Sequence, residues 1–269
     1  MLNTVLIRLV EKQLSHKFKS VLKKIIGQIP NFITSLNLVS GSVAIIFAID
    51  GHLVWAAIFI CVAALFDFLD GFAARALKAY SEIGKELDSL ADVVSFGVAP
   101  GAILFTLLEF SLYGKNQPIH EISGKWFEWL ILFSAFLLPV FGAIRLARFN
   151  TSSGDENFFR GLPIPANGLF WAAMGLMLQS PKYAELLPLV YTTKNLVILG
   201  IFMSGMMVLT MPMFSMKPKS LSLIENWYRF LFIGLSAILL IFFNVYGLAF
   251  IIFLYILLNA IFYLLKVKF

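Results

Sequence analysis

Again and again this chain runs for about 20 residues with almost no charge, the length needed to cross a bilayer as a helix. The stretch "GLAFIIFLYILLNAIFYLL" at 247–265 is one complete case. Inside a bilayer no water can hydrogen-bond the backbone, so a run of this kind must satisfy its own N–H and C=O groups, and a helix does so within one segment. Eight such runs are candidates: 32–50, 53–75, 88–112, 127–149, 163–180, 195–214, 229–245 and 247–265, the last two joined by a very short turn near Gly247. The chain is 60% hydrophobic and 13% charged, whereas a soluble domain is nearer half apolar and a quarter charged. The expectation is an all-α integral membrane protein of about eight transmembrane helices.

Residues 1–30 follow a different pattern. Leu2, Val5, Leu6, Leu9, Val10, Leu14, Phe18, Val21, Leu22, Ile25 and Ile26 recur at helical spacing, with Arg8, Lys12, Lys19 and Lys23 between them. That predicts a basic amphipathic helix on the membrane surface, ended by Pro30; the alternative is a soluble helix packed on the cytoplasmic face of the bundle. The division expected is therefore an N-terminal helix (1–30) and a transmembrane domain (31–269). No short apolar core with a small-residue cleavage site marks a signal peptide. With the N-terminus placed inside, 17 of the 21 Lys and Arg residues fall on the cytoplasmic side. The positive-inside rule thus puts both termini in the cytoplasm. A basic rim facing an anionic lipid bilayer accounts for the net charge of +6, and no nucleic-acid partner is needed. The lone Cys61 and the scattered His16, His52 and His120 offer no metal-ligand spacing.

The second and third segments are unusual in that charges gather at one end of each, in "DFLDGFAARALKAYSEIGKELDSLAD" from Asp67 to Asp92. On a helix Asp67 and Asp70 share a face with Gly71, Ala74 and Arg75; Asp88 and Asp92 share a face on the next span, with Gly84 one turn earlier. The short connection makes the two helices antiparallel neighbours, so four carboxylates can converge at the cytoplasmic side. Ionisable groups at membrane depth cost about 2.5–3.5 kcal/mol each, and Arg75 can neutralise only one. Carboxylate oxygen suits Mg²⁺ or Mn²⁺, and small residues leave a ligand room to approach the backbone. Metal ions, open space and an arginine together read as a pyrophosphate site. The competing reading is an interfacial charge cluster in which the acids pair with Arg75, Lys78 and Lys85.

Asp67, Asp70, Gly71, Ala74, Arg75, then eight residues, then Gly84, Asp88 and Asp92 resemble the signature of the CDP-alcohol phosphotransferase family. "IPNFITSLNLVSG" (29–41), "SFGVAPG" (95–101), "RLARFN" (145–150) and "GLPIPA" (161–166) are similar to the family's phosphatidylserine synthase branch. So is a lysine after the sixth span, Lys217. The likeness covers roughly 29–220, which leaves the spans from 229 to 265 resting on hydropathy. It implies transfer of the phosphatidyl group of CDP-diacylglycerol to the hydroxyl of L-serine, with release of CMP, in a homodimer of a prokaryotic inner membrane. It also implies two metal ions held by Asp67, Asp70 and Asp88, with Asp92 helping to hold the second and acting as base. Gly71, Arg75 and Ser81 would contact the CDP headgroup beside Ala74 and Gly84, and Asn31, Thr34 and Asn37 the nucleotide end.

The carboxylate of serine calls for a cation. Arg145 and Arg148, one turn apart, are candidates, together with Asn150, Arg160 and Lys217; arginine binds carboxylate or phosphate through paired hydrogen bonds. The same cations also satisfy the positive-inside rule. Pro100 and Pro139 are placed to kink the third and fourth spans. Other acceptors (glycerol 3-phosphate, inositol phosphate or choline) fit the same chemistry. A cation-coupled transporter is a reading from another class, against which stand the clustering of the acids at one membrane face and the lack of an inverted repeat.

Overall fold

A computed structural model of the chain describes residues 26–122, 124–151, 159–180, 185, 187–215 and 225–266. Almost all of the expected surface helix, and Lys217, lie outside the described residues. The helices in order are α1 (Ile29–Ile49), α2 (Leu53–Leu77), α3 (Glu82–Val93), α4 (Ala99–Tyr113), α5 (Trp126–Phe133) and α6 (Leu137–Thr151). They continue with α7 (Ile164–Met177), α8 (Leu187–Val190), α9 (Thr193–Val208), α10 (Trp227–Phe243) and α11 (Val245–Leu264). Two short strands, β1 (Phe159–Arg160) and β2 (Pro212–Met213), pair antiparallel with Arg160 opposite Pro212.

Every one of the eight apolar runs overlaps a helix, but among the described residues five helices are long and apolar enough to cross a membrane: α1, α2, the continuous Glu82–Tyr113, the continuous Trp126–Thr151, and α11. The helices α7, α9 and α10 are shorter. The run at 195–214 shows why hydropathy overcounts length. It stays apolar to its end, yet α9 stops at Val208 and Pro212–Met213 continue as β2. The third span differs the other way: its helix begins at Glu82, well before the apolar run, because Ser81 caps it by accepting a hydrogen bond from the Gly84 N–H at 3.0 Å.

Pro30 falls in the first turn of α1, where the N–H it lacks would have no helical partner. α1 packs on α2 and on both halves of the third span. Ala44, Ala48, Ala56, Ala57 and Ala63 are fully buried there, as expected where close van der Waals approach holds membrane helices together. α7 is the central post, in contact with α2, α4 and α11, with Asn167, Phe170 and Trp171 buried.

Neither Pro100 nor Pro139 simply kinks a regular helix. Val94–Val98 form a π-helical turn between α3 and α4, and Pro100 stands just after it in the first turn of α4. Pro139 follows a 3-10 turn, Ser134–Phe136. The two irregular places meet: a Cβ on Gly97 would lie 3.1 Å from the Pro139 Cα, and one on Gly101 would lie 3.2 Å from the Ala135 carbonyl oxygen. The wide turn also frees the Phe96 carbonyl, which accepts from Asn167 Nδ2 at 3.2 Å. At Gly41 a Cβ would overlap Ser95, whose hydroxyl donates to the Asn37 carbonyl at 3.0 Å.

Candidate active site

The acidic end of α2 and the start of α3 are folded together by a tight reversal. Lys78 closes α2 in the left-handed conformation (φ 51°), with the Ala79 N–H reaching back to the Ala74 carbonyl at 3.0 Å. Three residues later Ser81 starts α3. As a result Asp67, Asp70 and Asp88 bring one carboxylate oxygen each within 4.8 Å of one another.

Asp92, one turn beyond Asp88 and next to the π turn, lies within electrostatic reach of Asp67, Asp88, Asp70 and Arg145. Asp70 and Asp92 are buried, and Asp70 Oδ2 and Asp92 Oδ1 have no hydrogen-bond partner among the described residues. Buried polar atoms are seldom left in that state. A set of hard, clustered, under-satisfied carboxylate oxygens fits a divalent cation of the Mg²⁺ or Mn²⁺ kind. The ion pairs His52–Asp50 and His120–Glu121 both lie outside this cluster.

Beside the carboxylates lies a cavity of about 220 Å³, lined among others by Asn31, Thr34, Gly71, Ala74, Ser81 and Gly84. These were expected from sequence; Pro30, Ala79, Tyr80 and Lys85, which also line it, were not. A Cβ on Gly84 would lie 2.7 Å from Asn31 Oδ1 and 2.9 Å from Ser81 Oγ, so a larger residue there would have to displace those two side chains at the cavity wall. Arg75 is exposed, its Nη1 3.6 Å from the position of a Cβ on Gly71. It stands at the rim and does not line the cavity. Asn37 is fully buried and is not part of the lining either.

The cations expected for an acceptor are dispersed. Arg145 is 8% exposed, faces Asp92, and its Nε has no hydrogen-bond partner among the described residues. Arg148 points elsewhere, donating through Nη1 to the Val208 carbonyl at the end of α9 (3.2 Å). Asn150 donates to Ser89 Oγ at 2.9 Å, and its carbonyl accepts from Lys85 Nζ at 3.4 Å, so it ties α6 to α3. Arg160 is exposed on β1. Behind it Gly161 has φ 73° and its Cβ position would lie within 3 Å of the carbonyls of Met206, Met207 and Leu209, a place only glycine can occupy.

Residues 27–212 match the model of a protein family described as CDP-alcohol phosphatidyltransferase. Among curated proteins the chain is 35% identical over 139 residues to an archaetidylserine synthase of Methanothermobacter thermautotrophicus, a match covering 51% of this chain and 53% of that protein. It is 35% identical over 139 residues to a CDP-diacylglycerol–serine O-phosphatidyltransferase of Helicobacter pylori, covering 51% and 52%. A protein of the same description from Bacillus subtilis is 33% identical over 141 residues, covering 52% and 71%. The matched stretch thus spans about half the length of the first two relatives.

Proposed function

Since this chain belongs to the CDP-alcohol phosphatidyltransferase family, we propose that it transfers the phosphatidyl group of CDP-diacylglycerol to the hydroxyl of L-serine, giving phosphatidylserine and CMP. The observation that carries this reading is the cluster of Asp67, Asp70 and Asp88 at the wall of an open cavity. Serine as acceptor is supported by the names of the relatives, all of which contain it.

Asp67, Asp70 and Asp88 would hold divalent metal, Mg²⁺ or Mn²⁺ and in the proposal two ions, with Asp92 completing the set. Bound there, metal supplies charge neutralisation of a pyrophosphate. The chain's own groups do the rest. Gly71, Ala74 and Gly84 leave space for the diphosphate, Ser81 and Arg75 bind its oxygens at the rim, and Asn31 and Thr34 flank the nucleotide end. The serine hydroxyl oxygen attacks the phosphorus that carries diacylglycerol. The bond from that phosphorus to the CMP oxygen breaks, and the hydroxyl proton passes to Asp92, the deepest carboxylate. Arg145, buried opposite Asp92, is the best placed cation for the serine carboxylate. The spacing between Arg145 and Asp92 then sets the acceptor between its carboxylate anchor and its base.

The proposal extends to topology. All eight apolar helices traverse the membrane in it, with both termini and the site in the cytoplasm, a basic surface helix at 1–30 against anionic lipid, and a homodimer in a prokaryotic inner membrane. Purified protein given CDP-diacylglycerol, Mg²⁺ or Mn²⁺ and each labelled acceptor in turn tests the reaction. Labelled lipid is expected with serine alone. CMP release only with glycerol 3-phosphate, inositol phosphate or choline would replace the acceptor, and no CMP release with any would favour transport or binding.

A further inference from the structure

The family match ends at residue 212, yet the segment that follows is held by α11 through a set of buried polar bonds. Asn259 is fully buried in an otherwise apolar helix. Its Oδ1 accepts from the Phe214 N–H at 2.8 Å, and its Nδ2 donates to the Tyr255 carbonyl at 2.8 Å. The Tyr255 hydroxyl donates to the Phe214 carbonyl at 2.8 Å. Both backbone groups of one loop residue are thus gripped by two side chains one turn apart on α11. From α10, Arg229 Nε donates to the Ser215 carbonyl at 2.7 Å, while Nη1 of the same guanidinium bonds Asn226 Oδ1. The Phe214 ring is buried against Tyr228, Tyr255 and Phe232, with centroids 5.0–5.8 Å away.

Two lines lead from this clasp to the acceptor side. The first runs along the backbone. Phe214 adjoins β2, β2 fixes β1 with Arg160 opposite Pro212, and the Gly161 N–H donates to the Met211 carbonyl at 3.0 Å. The second runs through space: Tyr255 lies within electrostatic reach of Arg145, which faces Asp92. Polar side chains inside a membrane helix are costly and generally mark a function. Here their hydrogen bonds are spent on the backbone of a segment that borders the candidate acceptor cations.

We propose that Tyr255 and Asn259 are positioning residues for the acceptor: through Phe214 they set the place of the β1–β2 pair and the surroundings of Arg145, and so the affinity for serine but not for the nucleotide-linked lipid. The proposal rests on the transferase reading above. Its test uses the full-length protein in detergent or vesicles, as wild type, Tyr255→Phe and Asn259→Leu. The measurements compared are KM for serine, KM for CDP-diacylglycerol, and amide hydrogen exchange at 213–215 and within α3.

For Tyr255→Phe, loss of one hydrogen bond is expected to raise KM for serine about fivefold, with a larger rise for Asn259→Leu. KM for CDP-diacylglycerol and exchange within α3 stay as in wild type, while exchange at Phe214 and Ser215 quickens. A rise in both KM values together, or a fall in kcat alone, marks a merely structural role and overturns the proposal. Unchanged KM for serine in both variants overturns it too. If the wild type makes no lipid from serine, the transferase reading fails and this one falls with it. Exchange at 213–215, which needs no turnover, still reports whether the clasp exists.

Discussion

Of the regions of this molecule that bury polar groups in apolar helices, two treat them in opposite ways. At the cradle made by α1, α2 and α3, buried carboxylate oxygens of Asp70 and Asp92 are left without hydrogen-bond partners among the described residues. At the clasp made by α10 and α11, Asn259 and Tyr255 spend their side-chain bonds on the chain itself. Leaving a buried polar group unmade costs more than a made bond contributes. The cradle therefore carries a standing cost, which the proposed cation would offset, whereas the clasp's side-chain bonds are made. Unmet polarity inside a bilayer points to what the protein binds; met polarity points to what it holds still.

Asp92 is where a single substitution has the largest expected effect. Asp92→Asn is expected to cut serine transfer by about 10²–10⁴-fold, the usual worth of a positioned base, while binding of CDP-diacylglycerol survives; near-normal turnover in a radiolabel assay would remove its role. Next comes the metal. Chelation should stop transfer and lower the thermal midpoint, both restored by Mg²⁺ or Mn²⁺, since a ligand at 100 times its Kd stabilises by about 2.7 kcal/mol. A midpoint indifferent to both ions would deny the cradle its occupant.

Asp70→Asn sharpens the contrast, because relief of carboxylate repulsion is expected to stabilise the metal-free protein by about 1 kcal/mol as activity falls, a trade seen at other functional sites. Thermal melts without metal would expose an error of sign. A stability effect of similar size belongs to the clasp. Asn259→Leu should destabilise by about 0.6–1.7 kcal/mol, the range for interhelical hydrogen bonds in membranes, measured by denaturation in mixed micelles.

Much of the cradle was legible in the sequence. Spacing alone put Asp67 with Asp70 and Asp88 with Asp92, and the short link between spans implied their convergence, as found for Asp67, Asp70 and Asp88. Helix lengths were less legible, because hydropathy records where a chain tolerates lipid, not where its backbone stops being helical. At Pro212 a strand continues an apolar run. The cations were harder still: Arg145 and Arg148 look alike in sequence, but one faces Asp92 and the other closes the end of α9. Tyr80 and Lys85 line the cavity through the geometry of a turn that no periodicity encodes. The clasp left a usable trace, an asparagine and a tyrosine four apart in a run of aliphatic residues, which only its partners at 214 make meaningful.

The π turn at Val94–Val98 carries one final consequence. Each residue of an α-helix advances the surface by about 100°, so a single extra residue rotates everything after it relative to everything before. One continuous span can then answer to two incompatible registers. Its first half aims Asp88 and Asp92 at the cradle, and its second aims Gly101 at the neighbouring Pro139. Shortening Val94–Val98 by one residue would leave the sequence just as apolar and the helix more regular, while setting its two halves against each other; chemistry and packing could not both be kept.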